Sequence, residues 1–389
     1  MSSSNRVRLA AIPETVYGET PGAGDFTTLR FTSEDLSGTP QTVESAFIRS
    51  DRQNAGQINT GLEVAGGVDF EVSADASMQL AIEHAMMSNI VGQVNHTGTL
   101  DITGSGTQLD TDGNFVSDGI TVGDMLQLGG FSNANNNTVV MVTGVTTGQL
   151  TIVGEGLTDE SGGGGETAQV PAHFTVGTVE KSLSLSKEFL DLGTRSIAYR
   201  GMRVNELSMT FAFGSIVTGR FAMVGNGYET PALPITNSRT VNAAGSDPSL
   251  DASNGFGWLL IDDIAADICL ESLGFTLNNN MQAQNCIGNL APTNQIPGSA
   301  QVTFDSTIHL SGNAFDTFMA AKIAQTPMRM AFYSRDENNN GYGVVMERVQ
   351  TSFPDPAAGG GNTPVTFNAT GTASYDSTAG ETMRIYILT

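Results

Sequence analysis

Five residues in the stretch Asp336–Glu347, DENNNGYGVVME, have the types and spacing of a calcium-binding loop. Asp336, Asn338 and Asn340 offer oxygen ligands at loop positions one, three and five. Gly341 permits the sharp turn at position six, and Glu347 supplies the carboxylate at position twelve. Hard oxygen donors in that order suit a divalent cation. Such a loop belongs between two helices, however, and here both flanks alternate apolar and polar residues as strands do. Gly343 and Val344 stand where a packing residue and a water-positioning ligand are expected. Asn-Gly, in turn, supplies the positive φ angles of a tight hairpin. The stretch therefore reads first as a hairpin tip, with calcium at Asp336, Asn338, Asn340 and Glu347 as the secondary reading.

Other reactive groups carry less. LLIDDIAADICLESL brings together Asp262, Asp263, Asp267 and Glu271, but no nucleophile, oxyanion donor or glycine elbow accompanies them. Ile261, Ile264, Ile268 and Leu270 read as core there, and the acids as solvated. His84, His96, His173 and His309 lack a second ligand at metal spacing. Cys269 and Cys286 form neither a disulfide framework nor a CxxC pair and read as structural thiols. The glycine run Ser161–Gly165 has no following Lys-Ser/Thr and reads as a linker, not a phosphate cradle. Trp258, beside Leu259 and Leu260, reads as packing. No enzyme chemistry and no cofactor are expected.

Composition narrows the class. The 389 residues carry 17 Lys plus Arg against 40 Asp plus Glu, a formal charge of -23, which argues against a surface that holds nucleic acid. The N-terminal stretch MSSSNRVRLAAIPETVYGE lacks the apolar region of a secretion signal, and no apolar run is long enough to cross a bilayer. The expectation is a cytosol-like setting without membrane insertion. Abundant Gly, Asn, Ser and Thr between short Val/Ile/Phe-rich runs imply a mainly β fold.

The elements repeat. GLEVAGGVDFEVS alternates Val68, Phe70 and Val72, and ADASMQLAIEHAMM then places Met78, Ala81, Ile82 and Ala85 on one helical stripe with Asp75 as N-cap. In the C-terminal half SAQVTFDSTIHL alternates Val302, Phe304, Ile308 and Leu310. SGNAFDTFMAAKI follows, with Phe315, Phe318, Met319 and Ile323 on one face and Asn313 as the corresponding cap. After the helix both halves read strand, turn, strand, so DENNNG stands where FLDLG stands in the first half. The chain thus reads as two diverged copies of one strand-rich unit with a single helix each. Residues 1–95 and 173–230 form the first copy, 231–255 a linker and 256–389 the second. Residues 96–172, a series of short strands, fit a small closed β-barrel inserted at a surface loop.

Three stretches carry a family likeness. LRFTSEDLSGTPQTVESAFIRSDRQNAGQINTGLEVAGGVDFEVSADASMQLAIEHAM resembles the N-terminal signature of bacteriophage major tail tube proteins, of the duplicated type in long non-contractile tails. RGMRVNELSMTFAFGSIVTGRFAMVG resembles that family's later strands, and DGITVGDMLQLGGFSNANNNTVVMVTGV is similar to a small barrel found within such proteins. The resemblance implies two tandem tube domains of β-sandwich type that contribute to an inner β-barrel. It further implies a virion tail component assembled in the host bacterial cytoplasm. Three chains would complete a pseudo-sixfold ring, rings would stack, and DNA and the tape-measure protein would occupy the channel without specific binding. Tail terminator and distal tail proteins would be the other partners. A loop near Asp51 docks on adjacent subunits in related tubes, so Arg49, Arg52 and Gln53 are expected at subunit contacts. The inserted barrel has no place in a closed inner wall and is expected outside, so that a chain lacking residues 97–170 would still assemble. The competing reading is an acidic, β-rich extracellular binding or adhesin-like protein with a calcium loop, which ought to carry a secretion signal and several such loops.

Overall fold

The computed structural model describes residues 3–389 except 52, 55, 263, 266–268, 353 and 357–359; of 264, 265, 313, 314, 317, 318 and 321 it describes the backbone. The fold is mainly β, as the composition implies, with a large sheet system that is antiparallel apart from the short pair Phe26–Thr28 and Val241–Asn242, a separate seven-stranded sheet and a two-stranded one.

The large system follows from alternation. Eight strands lie side by side in the order Ser37–Glu44, Gln57–Glu71, Thr218–Gly225, Ser196–Ala212, Leu270–Asn278, Gln301–His309, Thr366–Ser374 and Gly341–Ser352. Because side chains alternate across a sheet, directly opposed residues form rungs that keep one character from edge to edge. Val68, Phe221, Leu207, Leu277, Val302, Ala373 and Val349 make one continuous buried rung.

The first helix, Ala76–Met86, packs on this apolar face. Asp75 caps it as the sequence implies: its carboxylate accepts from the Met78 amide at 2.9 Å and from Ser77 Oγ at 2.6 Å. Met78, Ala81, Ile82 and Ala85 are all buried. The second helix, Gly312–Ala324, begins earlier than the expected cap allows. The Phe315 amide donates to Ser311 O at 2.9 Å, so Ser311, itself a good cap residue, precedes the helix and Asn313 lies inside it.

Residues 94–170 form the seven-stranded sheet, but its end strands, Val94–Asn95 and Leu100–Thr103, do not pair with each other. The closed barrel expected from the sequence is therefore open. Side chains hold the intervening link instead: His96 bridges Asp118 Oδ2 (2.7 Å) and Thr111 Oγ1 (2.6 Å), and the Thr99 amide donates to Asp112 (2.8 Å). The chain that leaves this sheet does not return at once to the first half. His173–Thr175 pairs with the C-terminal strand Met383–Leu388 and so completes a sheet of the second half.

The turn at Asp336 is a hairpin tip, with one revision. Asn339, not Gly341, takes the left-handed conformation (φ 66), while Asp336 Oδ1 accepts from the amides of Asn338 (2.8 Å) and Asn340 (2.9 Å). Gly341 is needed for closeness: a Cβ there would stand 2.0 Å from Ser334 O. The corresponding turn of the first half, between Leu183–Phe189 and Ser196–Ala212, has Gly193 left-handed (φ 70).

Candidate assembly surface

The second face of the eight-strand arc is polar. One rung runs Asp69, Arg220, Ser208, Thr276, Thr303, Thr372, Gln350, and the next Glu71, Thr218, Thr210, Gly274, Asp305, Thr370, Ser352. None of the side chains in these rungs is buried. Hydroxyls dominate, and Arg220, the cation of the first rung, is neutralised by Asp69 (2.9 Å) and Asp35 (2.6 Å). Period-two alternation of Thr and Ser opposite Val and Phe was the signal for this face, and single strands do not show that the rungs align.

The middle of the arc joins the two halves. Strand Ser196–Ala212 of the first half pairs with Leu270–Asn278, the first arc strand of the second, from Glu206↔Asn278 through Ala212↔Ser272. At the ends of the arc the polar backbone is open. Among the described residues Ser37–Glu44 pairs with Gln57–Glu71 alone, and Gln350–Ser352 pair only with Thr366–Ser374. Open strand edges are templates for another chain.

Beyond the arc, the strands Ser37–Glu44 and Gln57–Glu71 project a hairpin. Arg49 lies at its tip, where Nε donates to Asp51 Oδ1 (2.9 Å), and the Gln53 amide donates to the same oxygen (3.1 Å). The guanidinium, followed by the amide of Gln53, holds Asp51 below the usual carboxylate range. Arg52 lies outside the described residues. Phe47 and Ile48, 72% and 91% exposed, are the more telling side chains of this tip. Two adjacent large apolar residues in a polar turn could have marked them in the sequence.

The calcium residues are not brought together. Asp336, Asn338 and Asn340 occupy the hairpin tip, whereas Glu347 lies along an extended strand, about 20 Å of chain away at ~3.3 Å per residue. Its buried carboxylate is held by Arg329 Nε (2.7 Å) and Arg384 Nη2 (3.2 Å). Of the acidic run, Asp262 stands at a turn, accepting from the Arg329 amide (3.0 Å), and Glu271 begins another strand; Asp263 and Asp267 lie outside the described residues. Cys269 and Cys286 are both exposed thiols, so neither packs in the core. The glycine amides 163–165 are satisfied by the Glu166 carboxylate and point at no external anion.

One cluster was invisible in the sequence. Arg384 gathers Asp124, Glu347 and Glu381 around a buried guanidinium, and Tyr386 Oη joins at 2.8 Å. Burial, with Glu347 and Asp124 nearby, pushes Glu381 up to about 7 even beside Arg384. Asp124 belongs to the seven-stranded module, the other three acids and bases to the second half. Around them the module's Met125, Leu126, Val139 and Met141 share one apolar core with Trp258, Leu260, Tyr333, Tyr386 and Leu388. Trp258 Nε1–H donates to Val139 O at 2.7 Å.

The fold is that of a mainly β protein whose eight-strand arc has one apolar face, one hydroxyl-rich face and open edges. Residues 4–378 match the family of the phage tail tube protein, and the chain belongs to that family. It is a structural component of the virion tail. No curated protein matches the chain. Among the described residues no helix is long and apolar enough to cross a membrane.

Proposed function

We propose that this chain assembles with its own copies into rings that stack as a tube, the hydroxyl-rich face lining a channel through which DNA passes. The observation that carries the proposal is the junction inside the chain. Each half contributes four arc strands in the same relative order, and the last of the first half, Ser196–Ala212, pairs with the first of the second. Repeating that junction between copies would set the open edge at Gln350–Ser352 against the open edge Ser37–Glu44 of the next chain. Such a head-to-tail contact closes when its rotation divides a circle, and three chains give the pseudo-sixfold ring. The domain division fits the same scheme: residues 1–95 and 173–230 as one tube domain, 256–389 as the other, 231–255 as linker.

Hydroxyl rungs with more acids than bases, on a chain of charge -23, let a polyanion slide without adhering. The module of residues 96–172 packs on Trp258, Leu260, Tyr333, Tyr386 and Leu388. These alternate along their strands with the core residues Leu259, Ile261, Phe332 and Ile385 and so face away from the core beneath the arc, which supports an exterior position. The hairpin tip with Phe47, Ile48, Arg49 and Gln53 is a ring-to-ring contact in this reading, and Arg52 is assigned to the same contact from its place in the sequence. The tape-measure protein is the channel's occupant before ejection. Terminator and distal tail proteins meet the tube's ends, and assembly takes place in the host cytoplasm.

Negative-stain microscopy of the purified protein tests the proposal, with rings or tubes expected. A Gln350→Pro chain, whose edge strand loses one backbone donor, should assemble only at a higher concentration than the parent. Uniform monomers of the parent protein at every concentration would refute the reading.

A further inference from the structure

The two helices hold equivalent places but not equivalent environments. Along the first, Met78, Ile82 and Met86 are 3%, 0% and 1% exposed. At the matching positions of the second, Phe315 is 45% and Ile323 79% exposed, and Met319 is half-buried.

The segment downstream of the first helix accounts for part of the difference. The chain leaving the inserted module folds back over that helix: the Gly177 amide donates to Met86 O (2.9 Å) and the Val179 amide to Met87 O (2.8 Å). Just before this, His173–Thr175 adds to the edge of Met383–Leu388, burying Phe174. The first helix is thus enclosed where the first half meets the second. After the second helix the chain passes directly into Met328–Arg335. Asp355, in the loop after Gly341–Ser352, pairs with Lys322 at 2.6 Å, yet Phe315 and Ile323 stay exposed. Among the described residues no backbone hydrogen bond ties a following segment to the helix end as Gly177 and Val179 do in the first half.

The counterpart of Met383–Leu388 in the first half is Gly227–Glu229. Each follows the fourth strand of its four-strand unit in chain order and pairs with the N-terminal part of the long strand, Gly341–Ser352 or Ser196–Ala212. Gly227–Glu229 has no partner on its other side among the described residues. Its Tyr228, 37% exposed, lies across Gly38, where an added Cβ would meet the ring at 2.3 Å. Tyr228 therefore sits on the open edge strand Ser37–Glu44 itself.

We infer that the apolar side of helix Gly312–Ala324, through Phe315 and Ile323, docks on the Gly227–Glu229 edge and Tyr228 of a second copy of this chain. The contact rests on the ring reading above and extends it. It reproduces between chains the enclosure of the first helix within one chain, and falls beside the strand pairing already assigned to the same pair of copies.

Two experiments test it. Phe315→Glu and Ile323→Glu change residues already exposed in the free chain, so melting of the monomer should be unchanged. The concentration at which tubes form should rise at least about tenfold, as expected when a large apolar side chain is denied burial at each contact. A photo-crosslinker at position 323 should, in tubes of otherwise unaltered protein, attach to the peptide containing Tyr228 of another copy. Tubes from the Glu variants at the parent's concentration, a lowered monomer melting temperature with assembly of the folded fraction intact, or crosslinks elsewhere would each overturn the docking while leaving the ring in place. A parent protein that never assembles would remove both.

Discussion

Replacing Asp124 by Asn tests whether the seven-stranded module is fastened to the second half through Arg384. Both side chains are almost fully enclosed, Asp124 at 7% and Arg384 at 6% exposure. Removing one partner of a buried pair costs about 3–5 kcal/mol, because the other charge is left without compensation. Arg384 retains Glu347 at 3.2 Å and Glu381, so the lower end applies, about 3 kcal/mol or roughly a hundredfold in the opening equilibrium. Asn keeps a carbonyl oxygen for the Thr121 amide, which donates to Asp124 at 2.7 Å, while its NH2 group replaces the oxygen that accepts from Arg384, so the charge and that hydrogen bond are lost together. Amide hydrogen exchange reports such local opening. Strands Met125–Gly129 and Met383–Leu388 should exchange about a hundredfold faster, with Leu183–Phe189 and Thr218–Gly225 little changed. Unchanged exchange at the first pair, or equal acceleration in all four, would refute the reasoning.

Deleting residues 97–170, which the sequence suggests is harmless, would uncover Trp258, Tyr333, Tyr386 and Leu388; at about 1.5–3 kcal/mol each the loss approaches the whole stability of a domain, so insoluble protein is expected in place of tubes, as a sedimentation assay would show. The Glu381 carboxyl keeps its proton to about pH 7 in the folded chain but releases it near 4.5 when unfolded. The folded state thus binds more protons in that window, and urea-melt stability should decline as pH rises through it, a decline that Glu381→Gln removes. Asp75→Ala should cost at least about 1 kcal/mol of stability by loss of the cap, measured by urea titration. Calcium and chelator should leave the melting temperature alike, since Glu347 is committed to Arg329 and Arg384; a calcium-dependent rise would reopen the cation loop.

Much of the chain was legible because local periodicity encodes it. Val68, Phe70 and Val72 announce a one-sided strand, Met78 to Ala85 a helix stripe, and Asp75 its cap, each within a few residues. The tube-family likeness was legible in the same stretches. Misreadings arose where two local signals competed. Ser311 and Asn313 both suit an N-cap, and Asn339 and Gly341 both tolerate a turn, so only the hydrogen bonds of the folded backbone chose between them. The module's closure failed to appear because the strand 94–95 is short and its link to strand 100–103 is held by side-chain bonds that alternation does not encode.

By itself the sequence determined the β class, the duplicated order of elements, the acidic charge and the family, all properties of residue types and their local spacing. Tertiary structure alone decided which strand lies beside which. It joined Ser196–Ala212 to Leu270–Asn278 and aligned Thr and Ser from six strands into shared rungs. It also carried Asp124 to Arg384 across a separation of 260 residues. Those placements depend on long-range burial and on pairing an entire backbone edge, and neither leaves a mark in any single stretch of residues.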